Sequence, residues 1–422
     1  MRTLGCKVNR VESEQIAATL LAGGFSLVED DAADVIVINT CTVTGEADSK
    51  ARKLIRQELK REREPVVVVT GCLVAVDADA VESLGDRVVS IADKSRVAEY
   101  LIQAFGQGTV TTASAPRSGR GFRTRAMVKV QDGCDRFCSY CIVPSARGLP
   151  RSVDRDEILR EVEDLLESGV NEIVLTGVNL GRYASRGHDL SDLIAVIAGA
   201  GVRRLRLSSI EPLDLTERLL EVLGSTPAVC PHLHVPLQSG SDRVLEAMQR
   251  RYDLATYRRR IDAARDAIPG LAVTTDVIAG FPGEREEDFR ATLEACERIG
   301  FARLHVFRYS ERGSTVAASL ADPVPQQERA RRASALRELD RALRASYARS
   351  RMGGVGEVLV EELVDDSDGA GLAALGTTED YLRVSFAAKD ARVADIVPVT
   401  IGHAGANGVL RGVPIESPPG IE

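Results

Sequence analysis

Cys134, Cys138 and Cys141 stand in the segment Cys134-Asp-Arg-Phe-Cys138-Ser-Tyr-Cys141, a C-x3-C-x2-C spacing. Three thiolates this close can bind three irons of one [4Fe–4S] cube and leave the fourth iron for something other than cysteine. Structural zinc would want a fourth nearby Cys or His, and none follows soon. A zinc knuckle and three buried thiols are the plain alternatives. Cys6, Cys41 and Cys72 form a second candidate set. They are far apart in sequence, but each follows a strand signal: Thr3-Leu4-Gly5-Cys6, Val37-Ile38-Asn39-Thr40-Cys41 and Val69-Thr70-Gly71-Cys72. The carboxyl ends of parallel strands lie along one edge, so three such cysteines can converge there. Gly5 and Gly71, each just before a cysteine, suit close backbone approach to a ligand. Three ligands again leave one iron open. Cys230, before a proline and a strand, and Cys296, on a helix, are read as structural. His232, His234 and His305 lie within strands and are read as hydrogen-bonded polar groups, with ligand roles left open.

The elements that position these residues alternate. In residues 1–104, short β-branched runs at 35–38 and 66–69 have the character of buried parallel strands. Helices are expected over 11–21, 46–64 and 94–104, and the βαβ pattern implies a doubly wound α/β sheet. Residues 105–125 carry Gly, Ser, Thr, Pro and the basic Arg117, Arg120, Arg123 and Arg125 without an acid, and read as a linker. Strands are then expected over 127–130, 172–175, 204–207, 232–235, 273–277 and 304–307, with helices between them. Six such units within 126–350 suggest an open (β/α)6 partial barrel. The Cys134–Cys141 loop follows its first strand, on the face where barrel active sites gather. A helix over 326–351 holds eight arginines and three acids. Short strands at 357–364, 381–386, 396–401 and 408–412 suggest a small OB-like β-barrel within 351–422.

The segment from Cys134 to Cys141 resembles the signature of radical S-adenosylmethionine (SAM) enzymes. That resemblance implies that SAM binds the open iron and is cleaved by one electron to a 5′-deoxyadenosyl radical. The chain as a whole resembles the methylthiotransferase family. The resemblance implies an N-terminal domain (1–104) with an auxiliary cluster on Cys6, Cys41 and Cys72, a radical SAM core (126–350) and a TRAM-like C-terminal barrel (351–422). Thr3-Leu-Gly-Cys-Lys-Val-Asn9 and Asn39-Thr-Cys-Thr-Val-Thr44 look like the tRNA enzymes that act on N6-threonylcarbamoyladenosine at position 37. Further words similar to the family end four barrel strands: Thr176–Gly181, Ser208–Pro212, His234–Gly240 and Asp276–Gly283. They imply that Gly177, Asn179, Ser209, Glu211 and Gln238 line the SAM pocket. Arg147 is read two ways, as a cation steering an anionic substrate or as the partner of a surface acid. Arg308 and Ser314 depart from the family's usual proline and glycine.

The resemblance implies conversion of an adenosine C2–H to C2–SCH3, with two [4Fe–4S] clusters, SAM, tRNA and a reductant such as flavodoxin or ferredoxin. A pocket arginine is expected for the threonylcarbamoyl carboxylate. The alternatives are a methylthiotransferase acting on isopentenyladenosine or on a ribosomal-protein aspartate, and, in another class, an iron–sulfur sensor or RNA-binding protein without catalysis. A sensor has no need of SAM-pocket words on four strands.

Composition fits this frame. The chain has 422 residues, 27% charged and 44% hydrophobic, which excludes collagen-like, disordered and disulfide-scaffold classes. No stretch approaches the ~20 apolar residues of a membrane helix, and the opening residues lack the apolar core of a signal peptide. A cytoplasmic protein with reduced thiols is expected. Of the net charge of −8, residues 351–422 contribute −7, from five basic and twelve acidic residues. RNA-binding modules usually present a basic face, so phosphate contacts are expected from one face of the tail, from the linker arginines or from the Arg-rich helix.

Overall fold

The computed structural model describes residues 1–28, 32–106, 124–365, 371–405 and 408–415. The first sheet is parallel throughout and runs in order β1 (Arg2–Thr3), β2 (Val35–Thr40), β3 (Val66–Gly71), β4 (Val88–Ile91). Its strands alternate, as the period of two requires. Ile36, Ile38, Val67 and Val69 pack under α2 (Gly45–Leu59), α3 (Cys72–Val76) and α4 (Ala78–Glu82), while Val37 and Val68 pack under α1 (Lys7–Ala22) and α5 (Ser95–Phe105). Helices thus cover both faces, as a doubly wound sheet demands. The linker expected over 105–125 falls almost wholly on 107–123, outside the described residues.

Six parallel strands follow: β5 (Ala126–Lys129), β6 (Glu172–Thr176), β7 (Arg204–Leu207), β8 (His232–His234), β9 (Ala272–Ala279) and β10 (Arg303–Arg308). They form two three-stranded sheets, β7-β6-β5 and β8-β9-β10, joined by the parallel bridges Leu205↔Val229 and Ser209↔His234. This is an open partial barrel. Ile173, Leu175, Leu205, Leu207, Val273 and Val277 face the outer helices in one large apolar cluster. The alternate residues, among them Glu172, Arg204, Arg206, Thr274 and Asp276, therefore face the lumen.

The helix Gln326–Arg351 leads to a closed barrel of β11 (Val355–Asp365), β12 (Leu372–Thr378), β13 (Arg383–Ala387), β14 (Ile396–Ala404) and β15 (Leu410–Pro414), in order β11-β12-β13-β15-β14. β12 has no counterpart among the expected strands, because Leu-Ala-Ala-Leu-Gly-Thr-Thr has little β-branched content before its end. The turn after β12 closes the amino end of the partial barrel. Arg206 donates to the carbonyls of Thr378 and Glu379, both at 2.6 Å, and its guanidinium lies 4.0 Å from the Tyr381 ring centre. Tyr381 also meets His232 edge-on at 4.5 Å. Tyr381→Ala should cost about 3 kcal/mol through lost packing and cation–π attraction. Denaturant unfolding would show it, and an unchanged midpoint would contradict this plug.

Candidate functional site

The first cysteine edge follows from strand register. Thr3 pairs with Asn39 and Thr40 with Gly71, so the residues that continue β1, β2 and β3 are neighbours. Cys6 caps α1 and Cys72 begins α3. Gly5 and Gly71 both adopt positive φ, +110° and +102°. A Cβ on Gly5 would come 2.6 Å from Cys41 Cβ, and one on Gly71 would come 2.4 Å from the Thr40 carbonyl. Only glycine allows this convergence. Burial first, and then the nearby charges of Cys72 and Cys6, push the Cys41 thiol up.

The second edge is the loop after β5. Cys134 N–H donates to the Gly148 carbonyl at 3.0 Å and Cys141 N–H to the Cys138 carbonyl at 2.9 Å. Arg250, fixed by Glu211 and by the Tyr252 hydroxyl, donates to Cys138 Sγ at 3.2 Å. Burial, then Cys138 and Cys134, push the Cys141 thiol up to about 12. At Cys41, Cys134 and Cys141 the proton is held first by burial and then by the neighbouring thiolates. A polycationic cluster reverses both effects, so the donor sets fit [4Fe–4S].

The SAM-pocket residues expected from sequence lie on the same face. Asn179 is buried and its backbone N–H donates to Gln131 Oε1 at 2.8 Å, yet both polar atoms of its side chain lack a partner. Orphaned buried amides call for a ligand. Gly177 packs against Gln131, so that a Cβ would come 3.1 Å from that side chain, and its N–H donates to Ser208 Oγ at 3.3 Å. Ser209 bridges to His234, and Gln238 (φ +69°) exchanges backbone bonds with Asp276 and Ile278. Glu211 is tied to Arg250 and is therefore less free than its place in the sequence suggests. Cys230 and Cys296 are buried. His232 departs from expectation, since its Nδ1 is buried without a partner.

Two bridges turn the cysteine edges toward each other. Arg147 ends the short helix α6 (Val143–Arg147) just beyond Cys141, and α6 packs on α3, just beyond Cys72. Arg147 donates to Glu12 and Asp132, both at 2.9 Å, and to Asn9 Oδ1 at 2.5 Å. Lys129 reaches Glu12 at 3.0 Å and Asp132 at 3.2 Å, and Lys94 also pairs with Glu12. Arg147 is thus neither a free substrate-steering cation nor the partner of a surface acid. It is a buried interdomain tie. On the other side Arg312 bonds Asp48 at 2.7 Å and Thr42, and Ser310 accepts from Gly45 N–H at 2.8 Å. Arg312 and Ser310 lie in the stretch that departs from the family's form. A cleft of about 810 Å³ opens beside this network and reaches Cys72. Sequence reading missed Arg250, Glu12 and Arg312; the sole signal was an acid, Glu12, on an otherwise covered helix face.

Fold and donor set together define a radical SAM protein with a second cysteine site. Residues 128–296 match the radical SAM superfamily, and residues 1–92 match an uncharacterized protein family, UPF0004. The chain is 36% identical to the threonylcarbamoyladenosine tRNA methylthiotransferase MtaB of Bacillus subtilis, over 96% of this chain and 93% of that one. The protein of the same name from Thermotoga maritima is 34% identical, over 97% and 95%. The tRNA-2-methylthio-N(6)-dimethylallyladenosine synthase of Mycolicibacterium smegmatis is 34% identical, over 98% and 86%. The radical SAM methyltransferase TsrM of Kitasatospora setae shares the fold, with a TM-score of 0.51 over 68% of this chain and 66% of that one at 16% identity. The chain belongs to the radical SAM methylthiotransferase family.

Removing one partner from the buried network should be costly. Arg147→Met is expected to lose about 3–5 kcal/mol of stability, read by denaturant unfolding, and adding Glu12→Gln should recover part of it. Burial raises the Glu12 pKa, but Arg147, Lys129 and Lys94 outweigh it and hold the carboxyl below its usual range. Its contribution is therefore complete above about pH 4.3 and is lost as pH falls through the lower folded value. Glu12→Gln should flatten that limb of the pH–stability curve.

Proposed function

We propose that the chain transfers a methylthio group to C2 of N6-threonylcarbamoyladenosine at position 37 of tRNA, in the cytoplasm, with electrons from a small reductant such as flavodoxin or ferredoxin. The observation that supports this reading is the Arg147 tie, which joins the helix after Cys141 to the domain that carries Cys6, Cys41 and Cys72. Two relatives that match nearly the whole chain bear that activity in their names. When bound, the two clusters and SAM supply one-electron cleavage and the sulfur to be transferred.

The residues of the chain divide the remaining work. Cys134, Cys138 and Cys141 would hold one cluster and leave one iron for SAM, and the unpartnered Asn179 amide would be a contact for that ligand. Arg250 stabilises charge on the Cys138 sulfur through its N–H bond. Cys6, Cys41 and Cys72 hold the auxiliary cluster. Arg147 and Arg312 fix the two edges at one separation, since hydrogen abstraction and sulfur transfer at one carbon require both reactants in near-attack range. On the helix Gln326–Arg351, Arg331, Arg332 and Arg351 are spent on ion pairs with Glu328, Glu284 and Asp380. Arg337, whose charge is felt at Glu46, and Arg341 and Arg349 form no hydrogen bond or ion pair through their side chains among the described residues and are the cations left for tRNA phosphates.

Reconstituted protein should hold about eight irons per chain, and Cys41→Ala or Cys138→Ala should each lower that to about four; loss of no iron from either variant would refute the ligand assignment. Nucleoside analysis of tRNA from a deletion strain should lack the methylthio form of threonylcarbamoyladenosine. Its undiminished presence would reject the substrate, and conversion of isopentenyladenosine tRNA by the reconstituted chain would transfer the assignment to that nucleoside.

A further inference from the structure

Parallel strands covered on both faces are usually apolar, but the lumen face of β8–β10 is not. His234 Nε2 and His305 Nδ1 both lie on Asp276 Oδ1, at 3.2 and 3.3 Å, and the two imidazoles stack 5.1 Å apart. Thr274 Oγ1 sits 3.1 Å from His232 Nε2 and 3.0 Å from His234 Nδ1. Burial first, and then Arg206, His234, Lys7 and His305, push the His232 pKa well down, so its ring is neutral. A neutral imidazole has one N–H. Since Nδ1 has no partner, the proton belongs on Nε2, where Thr274 accepts it. Thr274 then donates to His234 Nδ1, which leaves the His234 proton on Nε2, aimed at Asp276. The chain of bonds ends on one carboxylate oxygen that takes two donors.

Burial opposes ionisation of Asp276, but the bonds from His234 and His305 outweigh it and hold the carboxyl well below its usual range. Its other oxygen, Oδ2, has no partner among the described residues. The ligand atoms of His234, Asp276 and His305 lie within 4.8 Å of one another, as a metal would require. A protonated His234 Nε2 is not a metal ligand, however, so the cluster is a hydrogen-bond receptor.

Lys7 supplies the opposite charge. It is exposed, begins α1 directly after Cys6, and has no ion pair or hydrogen bond among the described residues. Its charge is felt at His232 beside those of the lumen groups. Deeper in the barrel Arg206 is paired with Glu172 and Arg250 with Glu211.

We propose that this lumen cluster is the receptor for the substituent on the adenine: Asp276 Oδ2 accepts a hydrogen bond from its hydroxyl, and Lys7 pairs with its carboxylate. This rests on the substrate reading above and replaces the arginine expected from sequence with a lysine.

The test is equilibrium binding of anticodon stem-loops to the cluster-reconstituted chain without reductant. The RNAs carry at position 37 the threonylcarbamoyl group, its methyl ester, or the glycyl analogue without the hydroxyl. The wild-type chain should prefer the acid to the ester by about tenfold or more, as a charged hydrogen bond does. Lys7→Met should bring that ratio close to one, and Asp276→Asn should abolish the preference for threonyl over glycyl. Either variant keeping its ratio at wild-type iron content overturns the proposal. A wild-type chain with no preference for the acid overturns it too, while the substrate reading still stands or falls on the tRNA nucleosides.

Discussion

A buried carboxylate shared among three cations sets how the two cysteine edges meet. Glu12 lies on the first helix of the N-terminal sheet, while Arg147 and Lys129 come from the partial barrel and Lys94 from beyond β4. With Asp132 there are three cations and two carboxylates, so every charge has an opposite partner and one positive charge is in excess. Such a network adds little net stability over apolar packing, but it is intolerant of misplacement, because a displaced domain strands a buried charge. The geometry of the site is thereby more sharply defined than an apolar interface of the same size would make it.

The lumen shows the same economy. Glu172 is shared by Arg125, Arg204 and Arg206, and Glu211 pairs with Arg250. Beside these pairs stand unpartnered atoms, among them the Asn179 amide, Asp276 Oδ2 and the Lys7 ammonium. Unmet polar groups in a cavity are its binding capacity. The Tyr381 turn closes the opposite end, so substrate enters from the cysteine side.

Much of the fold was legible in the sequence. All six barrel strands could be placed because β-branched runs recur with helical segments between them, and the three-strand origin of Cys6, Cys41 and Cys72 followed from parallel topology alone. The strand Leu372–Thr378 could not, since its alanines and Gly376 carry no β signal. Gly376 is small because a Cβ would meet the Leu359 carbonyl at 2.1 Å, a contact made when β12 pairs with β11. Arg147 was visible as a cation near the cluster loop, but its partner Glu12 lies 135 positions away. The lumen chain was hidden for a different reason. His232, His234, Thr274 and Asp276 look like ordinary interruptions of apolar strands until the register places them on one face.

The clamp between Arg312 and Asp48 spans 264 positions, whereas the edge bearing Cys6, Cys41 and Cys72 is complete once β3 has paired with β2. During synthesis at about 5–20 residues per second, many seconds separate the two events. The edge that brings Cys6, Cys41 and Cys72 together is therefore synthesised well before the segment that clamps it to the barrel, an order written into the distance between the two halves of the clamp.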